Sequence, residues 1–302
     1  MQANKRKHKI IAKKRGNTFG FWFFQSITKL FGLRVAYSFL YLICLYYLLF
    51  DRQATNGALA YVKRRFPQSS FFAVRLHVYR LFISQGKQLI DRYVAVSGNL
   101  LFNVQVEGVG KLMELLRQRK EGFILLTAHV GNWQIVLTTL KNLNRPVHLV
   151  MRPEDNPAVE RSLNISKEGD FVRIISSEAE FDGIIKIMHA LKEGDIVSIM
   201  GDRKYNFDAL DVSFLGDKAY FPYGAFAIAA AANCPVVVLL SARISYKKYL
   251  VDVHNILYPC YTCAASKQEE LRKFIQEFAT LLDTYTQEYP YQCFLFHDIW
   301  KN

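Results

Sequence analysis

The sequence predicts an α/β fold, a mixed central sheet flanked by helices, preceded by an N-terminal helical region that associates with a membrane. Three observations predict it. From about Phe102 onward, short apolar runs alternate with helical stretches, the pattern of a sheet covered on both faces. From about residue 18 to 100, apolar residues recur at helical spacing while Gly and Pro are sparse. At the N-terminus a basic arm leads into an aromatic, uncharged run.

Taken in order, Lys5, Arg6, Lys7, Lys9, Lys13, Lys14 and Arg15 make residues 1–17 a basic arm. Residues 18–100 form the helical membrane-associating region. It opens with the aromatic stretch Phe19–Phe24 and contains an uncharged run, Val35–Phe50, bounded by Arg34 and Asp51. As a helix that run reaches roughly 24 Å, short of a hydrocarbon core of ~30 Å. Cations flank it on both sides (Lys29 and Arg34, then Arg52, Lys63, Arg64 and Arg65), which opposes translocation of either flank. A monotopic helix embedded from the cytosolic face and steered by the arm is therefore expected. An ordinary buried core helix is the plain alternative. No small-residue cleavage site follows the run, so a removable signal peptide is not expected.

The segment Phe71–Ser97 reads as one long amphipathic helix, and residues 101–302 read as an α/β domain packed with the helical region as one unit. Strands are expected at Val104–Glu107, Phe123–Ala128, Val147–Met151, Val172–Ile175, Ile196–Met200, Val236–Arg243 and Leu250–His254. Helices are expected near Val109–Lys120, Trp133–Leu143, Ala158–Glu168, Glu178–Lys192 and Tyr223–Ala232, and a last one at Lys267–Glu288 is ended by Pro290.

Charge narrows the class of partner. With Lys plus Arg at 39 against 26 Asp plus Glu, the formal net charge of +13 favours anionic lipid, acidic carrier proteins or nucleic acid. Aromatics at 14% tilt that choice towards a membrane interface, and no zinc spacing, RNP-like strand or recognition helix supports nucleic acid. The five cysteines are scattered and odd in number, which argues against a disulfide framework and for a reducing compartment. Cys260-x-x-Cys263 has no second pair to complete a zinc site, so no metal is expected.

The residues that carry chemistry follow strands. His129-Val130-Gly131-Asn132-Trp133-Gln134 comes directly after the apolar run at Phe123, delivering an imidazole onto a Gly-containing turn at the carboxyl end of a strand. That context suits a general base acting on a hydroxyl, with Gly131 and Asn132 letting backbone and substrate approach. A lone histidine is more often structural, and the turn residues shift the balance. Gly201-Asp202-Arg203-Lys204 sets a carboxylate beside cations after another strand, and Arg152, before Pro153, adds a cation after a third. A solvated turn and an exposed loop arginine are their plain readings. In Phe214–Gly224, Pro222 and Tyr223 fit the start of an Ala-rich helix, and Gly224 permits close approach of a ligand. Each signal is weak singly; their shared placement after strands gives them weight.

Together these residues resemble the lysophospholipid acyltransferase superfamily, in the branch of lipid A late acyltransferases. That family carries His-x4-Asp/Glu, often within His-Val-Gly-Asn-Trp-Glu, where this chain reads HVGNWQ at 129–134. The block Gly201–Gly224, the N-terminal aromatic helix and the closing pattern of Tyr289–Trp300 are also similar. Asp91-Arg92 is similar to a subgroup found with aryl-polyene and flexirubin pigment genes.

The resemblance implies transfer of an acyl group from an acyl carrier protein or coenzyme A thioester to a hydroxyl or amine of a membrane lipid. Transfer would occur at the cytoplasmic face of the inner membrane, with no cofactor beyond the donor. His129 is then the base, and Gly131, Asn132, Arg152, Asp202, Arg203, Phe221, Pro222 and Gly224 line the substrates. The departure is Gln134, an amide where the family has a carboxylate. An amide can orient the ring through its carbonyl oxygen but supplies no charge; in serine proteases the comparable change costs about 10⁴ in rate. Asp202 is the neighbouring carboxylate able to supply it. Positions i and i+5 lie about 140° apart on a helix, so His129 must precede the helix for any contact with Gln134. A catalytically silent lipid-binding or scaffolding protein on the same fold is the alternative that Gln134 raises. A nucleic-acid binder driven by charge is the weaker third.

Overall fold

The computed structural model describes residues 18–96, 102–133, 135, 140, 143–151, 171–176, 180–203, 209–261 and 267–301. Three helices come first: α1 (Thr18–Phe50), α2 (Arg52–Arg65) and α3 (Phe71–Val96). Helix α1 is longer than the uncharged run alone suggested, because Arg34 does not end it. The exposed guanidinium lies over the ring of Tyr246, 5.1 Å from its centroid, so the charge sits on the helix surface without interrupting it. The helix kinks at Gly32, whose φ of 82° is open to glycine. Trp22–Phe50 runs for 29 residues and contains an 18-residue stretch of mean hydropathy 1.7, long and apolar enough to span a membrane or anchor in it.

Packing fixes one face of α1 and leaves the other bare. Leu33, Ala36, Tyr37, Leu40 and Cys44 are buried at helical spacing, while Leu42, Leu45, Tyr46, Leu49 and Phe50 are exposed. Gly86 of α3 admits Leu40, since a Cβ there would lie 2.9 Å from the leucine Cδ2. Asp51 separates α1 from α2 and caps the latter, accepting from the Ala54 amide at 2.9 Å.

The rest is the α/β part. After β1 (Asn103–Glu107) and α4 (Val109–Gln118) come the strands β2 (Phe123–Thr127), β3 (Val147–Met151) and β4 (Val172–Ser176). Then follow α5 (Glu180–Lys192), β5 (Ile196–Met200), β6 (Ala209–Phe214), β7 (Asp217–Pro222), α6 (Gly224–Ala232), β8 (Val236–Ser245), β9 (Lys248–Leu257) and α7 (Lys267–Glu288). Seven strands form one mixed sheet in the order β1-β9-β8-β2-β5-β3-β4, parallel except between β8 and β9.

Strand β2 lies between β5 and β8, parallel to both, and all five of its residues are buried. That is why its sequence is an unbroken apolar run. Ile124 and Leu126 join the core beneath α1–α3, α6 and α7; Phe123 and Leu125 join a second cluster with Leu112 and Leu115 of α4. Both faces of the sheet are thus covered, as the alternation of elements predicted.

The hairpin β6–β7 departs from the sequence reading, which took residues 214–224 as a turn and helix start. Leu215 and Gly216 both have positive φ (52° and 79°), the geometry of a tight hairpin turn. Leucine is not the usual residue there, and the signal was hidden. Pro222 closes β7 opposite Ala209 and so lies before α6, whose first residue is Gly224.

A buried polar knot joins the early helices to the sheet. Asp91 of α3, wholly buried, accepts from the hydroxyls of Tyr37 and Tyr249 and from Nε of Arg243 at 3.0 Å. Such a carboxylate is tolerated because three donors surround it, one of them a cation; removing one partner of a buried pair typically costs about 3–5 kcal/mol. The helices expected at Trp133–Leu143 and Ala158–Glu168, and the arm 1–17, fall wholly or largely outside the described residues.

Candidate active site

Register alone brings two functional side chains together. β2 and β5 run parallel with Thr127 opposite Met200, so residues two beyond each strand end also lie opposite: His129 and Asp202. The carboxylate takes the imidazole Nδ1 at 2.8 Å to Oδ1 and 3.0 Å to Oδ2, and Oδ2 also accepts the His129 amide at 2.8 Å. The histidine is 19% exposed and the aspartate 2%, which leaves an imidazole with one nitrogen held and its edge reachable. No described residue hydrogen-bonds Nε2, the nitrogen a reacting proton would reach.

Burial by itself would raise the Asp202 carboxyl. The charge and hydrogen bonds of His129, together with the Arg203 guanidinium, outweigh it and hold the group at about 2. Asp202 is therefore ionised across physiological pH and can favour imidazolium as it forms. This is the charge that Gln134 lacks.

The main chain of the histidine is clamped on both sides. Its carbonyl accepts the amide of Phe294 at 2.8 Å, and Val130 pairs antiparallel with Cys293. Gly131 donates to the Gln292 carbonyl at 3.0 Å. The closing segment of the chain thus forms one wall of the turn that presents the base. Tyr61 of α2 holds that segment, donating to the Pro290 carbonyl at 2.8 Å.

Some residues expected to touch substrate do other work. Gly131 has φ 51°, and a Cβ there would sit 1.8 Å from the Ser241 carbonyl oxygen. The close approach of β8 by itself requires the glycine. Asn132 is buried: its amide donates to Ser241 Oγ and its Nδ2 to the Gln88 carbonyl, both at 3.0 Å. It is a strut between the turn and α3. Phe221 is wholly buried, edge-on to Phe214 and Phe278, and belongs to the core. Large apolar side chains in strands are core first, and the sequence reading overlooked the strand.

Others do lie at the site or its edge. Arg203 follows Asp202, and its buried Nε has no partner among the described residues. Helix α6 leads into β8, which is parallel to β2, so its first residue, Gly224, starts at the sheet edge that carries His129. A Cβ at Gly224 would meet nothing within 4 Å. Gln134 and Arg152 lie outside the described residues.

One residue in the site was not singled out beforehand. His297, within the closing segment, interacts electrostatically with Arg203, Asp202 and His129. Burial first, then Arg203, pushes it down to about 4, leaving it neutral, and its buried Nε2 has no partner among the described residues. The histidine stood in the closing pattern, but nothing in the sequence linked that pattern to His129. Cys293 is an improbable nucleophile on physical grounds: burial, then the Asp202 charge, pushes its thiol well above the ordinary range. Among the described residues no cluster of His, Cys, Asp and Glu has the makings of a metal site.

Comparison with known proteins follows this geometry. A family model described as "Bacterial lipid A biosynthesis acyltransferase" matches residues 87–302, from within α3 to the C-terminus. No curated protein matches the chain in sequence. Among solved structures, the chain is similar to the 1-acyl-sn-glycerophosphate (LPA) acyltransferase PlsC of Thermotoga maritima. That likeness has 15% identity and a TM-score of 0.40, covering 90% of this chain and 94% of the other.

Proposed function

Because the chain belongs to the family of bacterial lipid A biosynthesis acyltransferases, we propose that it moves an acyl group from a thioester donor to a hydroxyl or amine of a membrane lipid, with His129 as base. The observation that carries this reading is the 2.8 Å bond between His129 Nδ1 and the ionised Asp202, made at the carboxyl edge of the sheet with no described residue bonded to Nε2.

In the step proposed, Nε2 removes the acceptor proton as the acceptor oxygen attacks the thioester carbonyl carbon. The tetrahedral intermediate collapses, the C–S bond breaks, and the departing thiolate takes the proton back from the imidazolium. No covalent enzyme intermediate and no cofactor is needed. Asp202 holds the ring in the tautomer that leaves Nε2 unprotonated and stabilises the charge that develops; general base catalysis of this kind contributes roughly 10²–10⁴-fold. Arg203 and Arg152 bind acidic groups of donor or acceptor, and Gly224 lies at the sheet edge that carries His129.

The donor is an acyl carrier protein or coenzyme A thioester, and a net charge of +13 suits an acidic carrier. The exposed apolar face of α1, with the basic arm before it, supports a reading in which the enzyme works at the cytoplasmic face of the inner membrane. The second reading, a silent lipid-binding protein, rests on Gln134 in place of the family carboxylate.

The test is transfer of radiolabelled acyl groups from acyl carrier protein, and separately from coenzyme A, to total membrane lipid. A labelled lipid that forms with the wild type and vanishes with His129→Ala is the expected result. Folded, membrane-bound protein that yields no product from either donor would overturn it in favour of the silent reading.

A further inference from the structure

We propose that a cationic cleft beside the active-site turn holds the phosphate headgroup of an anionic bilayer lipid, separately from the reacting centre. The cleft encloses about 490 Å³ between α1, α3, the end of β8 and the closing segment, and His129 is not among its lining residues. Arg80, Ser84 and Lys87 line it from α3, on a single stripe at i, i+4 and i+7. Three hydrogen-bond donors, two of them cationic, therefore face one opening.

These cations are unspent. Arg243, the third cation in the lining, is taken up by Asp91 at 3.0 Å. No ion pair holds Arg80 or Lys87 among the described residues. Each is instead held by a phenol: Arg80 Nη1 donates to Tyr291 Oη and Lys87 Nζ to Tyr41 Oη, both at 3.3 Å. The ring of Tyr291 lies beneath the Arg80 guanidinium at 5.8 Å, and that of Tyr41 beneath the Lys87 ammonium at 5.3 Å. Aromatic faces orient a cation while leaving its charge uncancelled, so a phosphate would meet two prearranged charges and the Ser84 hydroxyl. Glu288, the carboxylate in the lining, is engaged by the hydroxyl of Tyr289.

The surroundings identify a lipid rather than a free anion. The α3 stripe continues away from Arg80 to Leu76 and to Phe72, which is 82% exposed. Helix α1 runs antiparallel to α3, with Tyr37 at Asp91 and Tyr41 at Tyr79, which carries the exposed Leu45, Leu49 and Phe50 towards that same apolar end. Apolar surface with cations at its border fits an amphiphile with a phosphate head. The site does not depend on acyl transfer; a silent lipid-binding chain would hold the same headgroup.

The experiment is co-sedimentation of the full chain with vesicles of phosphatidylcholine alone and of phosphatidylcholine containing phosphatidylglycerol. Arg80→Gln/Lys87→Gln is compared with Lys111→Gln/Arg117→Gln, which removes the same charge from the exposed face of α4. The cleft variant should lose roughly tenfold or more in affinity for the anionic vesicles, the control less than threefold, with binding to phosphatidylcholine unchanged in both. Ser84→Glu, which removes no cation, should lower the affinity for anionic vesicles by a similar factor. Equal losses in the two double variants would overturn the proposal in favour of diffuse charge. Coenzyme A or inorganic phosphate displacing wild type from anionic vesicles at matched ionic strength would assign the cleft to a soluble phosphate and overturn it too.

Discussion

His129 and Asp202 are joined twice: Nδ1 lies 2.8 Å from one carboxylate oxygen, and the backbone amide of the same histidine donates to the other at 2.8 Å. The aspartate therefore fixes both the ring and the turn that carries it. Each residue lies two places past the end of its strand, so the pair is a consequence of the parallel register of β2 and β5. Their separation of 73 residues equals the offset of that register.

Asp202→Asn keeps an acceptor for the amide and removes the charge. It is expected to lower kcat by about 10²–10⁴ with KM little changed. Stability should respond as well, with a sign that follows from a depressed carboxyl. The contribution of Asp202, about 2 kcal/mol at neutral pH, is complete above its unfolded value and lost as pH falls through about 2. Denaturation of wild type and variant from pH 5 to pH 2 should therefore converge. A kcat within threefold of wild type would mean that His129 does not rely on this carboxylate.

His297 predicts a loss of the same sign over a higher pH interval. The native state resists protonating it down to about 4, whereas the unfolded chain takes up that proton near 6.5. Wild type should lose up to about 3 kcal/mol from this group as pH falls from 6.5 to 4, and nothing further below. His297→Gln, which cannot take the proton, should flatten that interval. Parallel urea-denaturation curves for the two proteins across it would contradict a neutral, buried histidine.

Two glycines at the same sheet edge should behave differently. Gly131→Ala places a methyl 1.8 Å from the Ser241 carbonyl oxygen at a φ of 51°, so the turn must move. A loss of more than about 3 kcal/mol is expected, with activity lost alongside. Gly224→Ala meets nothing within 4 Å and begins a helix, so melting temperature should hold or rise. If kcat/KM falls there while stability does not, substrate passes close to that residue; unchanged kinetics would remove Gly224 from the site.

The sheet strands and the histidine turn were legible because buried parallel strands read as bare apolar runs and Gly131 marks a turn. Asp202 was legible as a carboxylate able to supply the charge, but its direct bond to Nδ1 was not, since pairing β2 with β5 rather than with β3 is a matter of strand order, which no local pattern records. Phe221 was misread for a related reason. Its hairpin turns on Leu215, a residue that hides a positive φ, so a core strand was taken for a loop. Asn132 and Gly131 were rightly placed beside the histidine but given to substrate, because the closing segment and β8 that occupy them come from far along the chain.

Gln134 supplies the sharpest discrimination between an adapted site and a decayed one. With Asp202 already bonded to Nδ1 and ionised, a carboxylate at position 134, as in the family motif, would bring a second negative charge to a motif whose histidine already has one. It would make the ring more basic without improving a tautomer already fixed, so Gln134→Glu should change kcat by less than about threefold. The acid limb of the pH–rate profile should move upward, because the imidazolium is then harder to deprotonate. A rise of a hundredfold or more would show that Asp202 orients the ring without activating it and that the amide marks lost chemistry. A rate unchanged in Gln134→Glu but abolished in Asp202→Asn would place the activating charge on β5's side of the turn, and with it the division of labour between the two positions.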